Sequence, residues 1–333
     1  MKASYQPYTL QFKIPGGTSR GVLHQKETYF ITIEDNGKKG VGECGLLKKL
    51  SIDDRPDYEE KLQWVCDNIQ LGLNALYEAM TEFPSIQFGL EQAFLALENN
   101  NDILFPSAFT RGEDGITING LIWMGDIQFM QQQIEAKVAQ GFSCIKLKIG
   151  ALNFEEEYKI IQQLRTEYPN IEIRVDANGA FEYEEALEKL ERLEKLGLHS
   201  IEQPIKAGQY EKMAQLCSVT PLPIALDEEL IGVFHVEEKE NLLRKIKPQY
   251  IIIKPSLVGG FRGSQEWIQL AEQHNIKWWI TSALESNIGL NAIAQWTYTL
   301  QNSMPQGLGT GGLFTNNLPT LLEVRGEKLW MNS

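Results

Sequence analysis

At 333 residues, 43% hydrophobic and 23% charged, the chain has room for one large domain or two ordinary ones and can bury a sizeable core. A formal charge of −13 and a pI near 4.9 exclude the basic footprint of a nucleic-acid or anionic-membrane binder. They leave room for a small anionic carboxylate substrate, because a few local cations and a metal reverse the field inside one cleft.

The opening stretch MKASYQPYTLQFKIPGG is polar throughout, without the apolar core of a secretion signal. No stretch approaches the roughly 18 apolar residues a membrane helix needs. TYFITIED, the turn DNGKKG and VGECGLL predict a hairpin, with Asn36-Gly37 as its turn. Helices are expected over Tyr58–Met80 and Ile86–Leu97. Strands followed by helices give residues 1–115 an α+β character. The cysteines Cys44, Cys66, Cys144 and Cys217 are scattered with no CxxC pair, which reads as inert thiols in a reducing, cytoplasmic setting.

From about Gly115 short β-rich runs alternate with amphipathic helices. The runs are ITINGLIWM, CIKLKIG, IEIRVDANG, HSIEQP, PIALDEEL, YIIIKPSLVGG and KWWITSALES. Helices are expected at Phe154–Tyr168, Tyr183–Leu196, His235–Ile246 and Phe261–Asn275. In the first of these Tyr158, Ile161 and Leu164 recur at helical spacing behind an acidic first turn that suits the helix dipole. Such repeated units imply parallel strands with helical crossovers, and their number favours a closed (β/α)-barrel of the TIM type, modified to 7–8 units, over an open sheet. No GxGxxG follows the first strand, and Gly259-Gly260 stands in the wrong context for a dinucleotide site. The expected organisation is an α+β capping domain over 1–115, a barrel over 116–302, and a Gly- and Pro-rich tail over 303–333 that returns to the cap.

A parallel barrel keeps its active site at the C-terminal ends of its strands. There the sequence places Lys146 and Lys148, then Asp176 and Asn178, Glu202, Asp227 and Lys254, each behind a mostly apolar run. Asp176, Glu202 and Asp227 are 26 and 25 residues apart, the period of one strand–helix unit, so they stand at equivalent heights on adjacent strands. Three converging carboxylates repel one another and resist ionisation. A hard divalent cation such as Mg²⁺, or Mn²⁺ in its place, removes that conflict.

Lys146 and Lys148, two apart in one strand, project to the same side, toward the barrel axis. A lysine with an ordinary pKa of about 10.4 is a poor base at neutral pH, and a neighbouring cation with partial desolvation lowers it. Lys254 emerges roughly across the barrel. An amine on each face of a substrate carboxylate, with a metal, suits removal of the adjacent proton, because charge develops on the carboxylate oxygens as it leaves. His24, His199, His235 and His274 are dispersed away from strand ends and read as surface or structural. Trp278-Trp279 reads as core, and Glu228 and Glu229 as first-turn acids or supports beside Asp227.

The ordered set KxK, DxN, E, D and K resembles the enolase superfamily, and within it the muconate-lactonizing subgroup. The resemblance covers nearly the whole chain. It implies Mg²⁺ held by Asp176, Glu202 and Asp227, an acid/base pair of Lys148 and Lys254, Lys146 assisting Lys148, and Asn178 supporting the second-strand lysines. TSALESNIGL, with Ser282 and Glu285, together with QGLGTGGLF and KPSLVGG, is similar to the o-succinylbenzoate synthase branch. That branch implies dehydration of 2-succinyl-6-hydroxy-2,4-cyclohexadiene-1-carboxylate in menaquinone biosynthesis. Dipeptide epimerases of the subgroup carry an Asp-x-Asp where this chain has GLGTGG, and racemases of the mandelate type use a seventh-strand histidine that WWITSALES lacks. N-succinylamino acid racemase, or another isomerase or epimerase of the muconate-lactonizing type, remains the alternative. GGTSRGVLH fits the family's closing loop by position, so Ser19 and Arg20 are expected to meet a substrate carboxylate. A homo-oligomer is compatible with the sequence.

Overall fold

Three β-sheets order the chain in the computed structural model, which describes residues 1–18, 21–99 and 102–332. β1 (Lys2–Thr18), β2 (Gly21–Asp35) and β3 (Lys38–Cys44) form an antiparallel meander. The expected hairpin is its β2–β3 half, turned by Asn36 and Gly37 at φ +49° and +79°. β1 is too polar to announce itself as a strand. Tyr29, Ile31 and Ile33 alternate inward from β2 onto α1 (Tyr58–Asp67) and α3 (Pro84–Asn99). Glycine sets how closely β3 lies on α3: a Cβ on Gly42 would stand 1.9 Å from the Gly89 carbonyl oxygen. The predicted Tyr58–Met80 helix is two helices, because Gly72 at φ +79° turns the chain between α1 and α2 (Gly72–Ala79).

The barrel sheet holds seven parallel strands in chain order. They are β5 (Gly120–Ile122), β6 (Cys144–Lys148), β7 (Glu172–Asp176), β8 (Ser200–Glu202), β9 (Ile224–Leu226), β10 (Tyr250–Ile253) and β11 (Lys277–Ile280). The eighth position is two residues long. Gln306 and Gly307 bridge in parallel to Ile118 and Thr281, and so close the ring. The predicted ITINGLIWM strand is split, and its first part, β4 (Ile116–Thr117), pairs instead with β13 (Lys328–Met331), which pairs with β12 (Leu322–Arg325).

The crossovers are α4 (Ile127–Ala139), α5 (Phe154–Glu167), α6 (Tyr183–Glu194), α7 (Tyr210–Val219), α8 (Val236–Ile246), α9 (Gly260–Gln273) and α10 (Asn287–Thr299). Side chains mark several starts: Asp126 accepts from Phe129 N, Asn153 from Glu155 N and Ser286 from Ile288 N. The main core fills the space between sheet and helices, Trp278 included, while Trp279 packs inside the barrel with Ala225 and Ile252. No helix among the described residues is long and apolar enough to cross a membrane.

The two sheets meet through shared apolar and polar contacts. Leu10 and Phe12 of β1 pack against Leu284 and Phe314. Glu91 on α3 reaches the start of α9 and accepts from Phe261 N and Arg262 N, where burial pushes its carboxyl up to about 7.

Candidate active site

Sheet register sets the heights of the predicted groups. Lys148 lies opposite Asp176, and Asp176 opposite Glu202, across β6, β7 and β8. Asp227 and Lys254 follow directly after β9 and β10. In an eight-position ring β6 and β10 are four steps apart, so Lys148 and Lys254 stand on opposite walls.

All six charged groups meet. Lys148 Nζ donates to Asp176 Oδ2 and to Asn178 Oδ1, each at 2.8 Å. Lys146 Nζ stands 3.1 Å from Asp176 Oδ2 and donates to Glu202. Lys254 donates to Asp227 and lies 3.8 Å from Glu202 Oε1. Asp176 is fully buried, with Glu202 and Asp227 each 2% exposed. Glu202 Oε1 has no hydrogen-bond partner. Ammonium groups stand between the carboxylates, and among the described residues no three acid, histidine or cysteine side chains are grouped as a metal site in this arrangement.

Charge crowding sorts these groups. Burial and the neighbouring Asp176 push the Glu202 carboxyl up to about 8, against the pull of Lys146. Burial opposes ionisation of Asp176 too, but Lys146, Lys148 and Lys254 outweigh it and hold that carboxyl well below the usual range. Asp227 is lowered likewise, with Lys254 overcoming burial. Burial works against charge on Lys146 and Lys254, yet the surrounding acids win and both pKa values rise. Around Lys146 the acids Asp176, Glu202 and Asp227 outweigh burial, so it stands beside Lys148 as the neighbouring cation that the sequence leads one to expect.

Above this cluster a cavity encloses about 740 Å³ of space free of atoms, its open mouth included. That is the size of a small-molecule site. Lys146, Lys148, Asp176, Asn178 and Lys254 line one part of it. Leu23, Leu47, Leu50, Leu121, Trp123 and Leu284 give it an apolar wall drawn from both cap and barrel. Asn178 also donates to Glu228 at 3.0 Å, and Glu229 accepts from Gln203 and from Gly208 N, so both acids brace the ends of neighbouring strands.

Ser282 lines the cavity and shares a 2.6 Å hydrogen bond with Thr310. Glu285 does not line it. Leu284 sits at φ +65° and takes the facing position, leaving Glu285 buried against Ser256 and Ala283 N. Ser19 and Arg20 lie outside the described residues. None of the four histidines lines the cavity; His199, for example, lies tilted against Tyr250 at the opposite end of the strands, with ring centroids 4.9 Å apart.

Sequence spacing missed two polar groups of the lining. Asn119 Oδ1 and Thr281 Oγ1 are buried and have no hydrogen-bond partner. Both stand beside the closing segment, whose brevity hides which residues face inward.

The loop carrying Leu47 and Leu50 is anchored by Asp53, fully buried, which accepts from Ser85 N at 2.9 Å and Ser85 Oγ at 2.6 Å. Burial pushes this carboxyl up to about 6 despite those bonds. The folded chain therefore holds the Asp53 proton more tightly than the unfolded chain, whose value is about 3.9. The resulting stability is fully present below about pH 4 and is lost as pH rises to about 6, on the order of 3 kcal/mol. Chemical denaturation should show wild-type stability falling relative to Asp53→Asn across that window and running parallel above it. Parallel curves across the whole window would exclude a raised Asp53.

Comparisons with known proteins agree with this fold. The family model described as enolase C-terminal domain-like matches residues 129–321. An o-succinylbenzoate synthase of Desulfotalea psychrophila is 46% identical over 99% of this chain and 98% of its own length. The crystal structure of MenC from D. psychrophila superposes with a TM-score of 0.88 at 43% identity, covering 99% of each chain. An N-succinylamino acid racemase of Thermus thermophilus is 30% identical over 84% of this chain and 77% of its own.

Proposed function

The chain belongs to the enolase superfamily, and from that footing we propose that it is an o-succinylbenzoate synthase, a carbon–oxygen lyase of menaquinone biosynthesis. It dehydrates 2-succinyl-6-hydroxy-2,4-cyclohexadiene-1-carboxylate to 2-succinylbenzoate. The observation that carries this reading is 46% identity to such a synthase along essentially the full length of both chains.

In this reading Lys148 removes the proton from C1, beside the carboxylate. The electron pair moves onto the carboxylate oxygens as an enediolate, then returns to form the C1–C6 double bond. The C6 hydroxyl leaves with the proton that Lys148 took, as water, and the ring becomes aromatic. Lys254 on the opposite wall and Lys146 beside Lys148 act as ammonium charges, a role supported by pKa values that the acids raise above the ordinary. Asn178 holds Lys148 in place through its 2.8 Å hydrogen bond. Ser282, Asn119 and the apolar wall contact the rest of the substrate.

Asp176, Glu202 and Asp227 would hold Mg²⁺, or Mn²⁺. The Oε1 of Glu202, which no hydrogen bond reaches, and the reluctance of that carboxyl to ionise support that fit, because a hard oxygen-seeking cation relieves both. When bound, the ion supplies positive charge to the carboxylate side of the reaction.

The division into cap, barrel and returning tail belongs to this reading. It is supported by Asn316, which donates to Thr9 O and accepts from Gln11 N, joining the tail to β1. A cytoplasmic location is supported by four buried free thiols.

N-succinylamino acid racemisation is the second reading, favoured by the 30% identity to the Thermus racemase. Purified protein with Mg²⁺ should convert the cyclohexadiene substrate, followed by loss of its absorbance, far faster than it racemises N-succinyl amino acids. The reverse order would replace the first reading with the second.

A further inference from the structure

Behind the cavity wall three ionisable side chains that the chemistry above does not use are buried together. Lys26 on β2, Glu43 on β3 and Glu285 after β11 are 3%, 0% and 0% exposed. Lys26 Nζ stands 3.7 Å from Glu43 Oε1 and makes no hydrogen bond. Both Glu43 oxygens reach across to the barrel. Oε1 accepts from Ser286 N at 2.9 Å and from Thr28 Oγ1 at 2.8 Å, while Oε2 accepts from Gly289 N at 2.9 Å and from Ser286 Oγ. A Cβ on Gly289 would come within 2.8 Å of Oε2, so glycine leaves the space this carboxylate fills. A buried acid is costly unless it is paired and fully bonded, and Glu43 meets both conditions only with the cap seated on the first turn of α10.

Directly before that turn lies Leu284, in the left-handed region at φ +65°. Leucine rarely adopts this conformation, and it persists only where the surroundings over-determine it. Here they do so from both sides. Glu285 accepts from Ala283 N at 2.6 Å and is fixed in turn by Ser256, two residues beyond Lys254. Glu43 fixes Ser286. Between these holds, Leu284 lines the cavity and packs on Leu10, Phe12 and Phe314.

We propose that Glu43, with Lys26 as its buried counter-charge, is a positioning residue for substrate: it docks the cap onto α10 and so keeps Leu284 in the strained conformation that completes the cavity wall. The assignment rests on the dehydration proposed above. It acts on the body of the substrate and leaves the lysines untouched, which sets it apart from a residue that merely stabilises the fold.

Kinetics of Glu43→Gln, Leu284→Gly and the double variant test it. Glu43→Gln should raise KM for the cyclohexadiene roughly tenfold, as loss of a few apolar contacts does, with kcat within about twofold. Leu284→Gly, which removes both strain and wall, should raise KM similarly. The double variant should be no worse than Leu284→Gly alone, because Glu43 acts through Leu284. A further rise of about tenfold in the double variant overturns the proposal. An unchanged KM in Glu43→Gln, or a fall in kcat alone, does the same. Should Glu43→Gln not fold, Lys26→Met with Glu43→Gln, which removes both buried charges, takes its place in the cycle. Amide hydrogen exchange across residues 284–289 needs no ligand: faster exchange in Glu43→Gln supports the positioning and unchanged exchange overturns it. A wild type inert toward the cyclohexadiene would overturn the reaction alone.

Discussion

Lys148→Ala should lower kcat by roughly 10²–10⁴-fold, the usual loss on removing a general base, with little change in the thermal transition. Lys148 suits the base role by access and by company. It lines the cavity, and it is held by Asp176 Oδ2 and Asn178 Oδ1 at 2.8 Å each. Removing its amine leaves Asp176 with Lys146 at 3.1 Å, so no buried carboxylate is stranded and the barrel should fold normally. Lys254→Ala is a harsher change, because it strips Asp227 of its ion pair. Its loss of activity therefore needs a stability control that Lys148→Ala does not. Single-turnover measurements on Lys148→Ala separate binding from chemistry: retention of more than about a tenth of the wild-type rate would remove Lys148 as the base.

The charged site was legible because a barrel repeats. One strand–helix unit of about 25 residues carries each strand end to the next, so acids in phase along the sequence become neighbours across the sheet. The register of Lys148, Asp176 and Glu202 is that periodicity made spatial. Legibility failed where the chain leaves the period. The eighth strand is reduced to Gln306 and Gly307, too short for any alternation to show, and so the inward-facing Asn119 and Thr281 beside it went unread. Glu285 was expected to face substrate, but its neighbour Leu284 takes that place through a positive φ that no leucine announces. Lys26 and Glu43 are harder still. They lie on cap strands, where charged residues ordinarily face water, and Glu43 finds its partners on α10, more than 200 positions away. Gly72 hides for a local reason: an unremarkable glycine in sequence, it takes φ +79° and divides one predicted helix into two.

Chelation should abolish turnover, and Mg²⁺ should restore it, because the lysines leave the central carboxylate, Glu202, unsatisfied. Lys146 and Lys254 already bond Glu202 and Asp227, yet the Glu202 carboxyl remains pushed up to about 8 and one of its oxygens has no hydrogen-bond partner. Three ammonium groups therefore match the three carboxylates in number without satisfying Glu202. A divalent cation would draw on the same oxygens, in competition with both lysines, so Mg²⁺ affinity measures the carboxylates directly and needs no assay of the reaction. Glu202→Gln keeps the shape of the side chain and removes its charge. By calorimetry it should weaken Mg²⁺ binding by more than the roughly 10–100-fold that loss of an outer partner costs at a metal site. Asn178→Ala, which removes the support of Lys148 and the contact with Glu228 but no carboxylate, should leave that affinity nearly unchanged while lowering kcat. Equal Mg²⁺ binding in wild type and Glu202→Gln, or a Mg²⁺-soaked crystal with no density between Asp176, Glu202 and Asp227, would break the assignment of these acids. A weakened affinity in Glu202→Gln alone would instead separate the two halves of the site, carboxylates that hold the ion and lysines that move the proton.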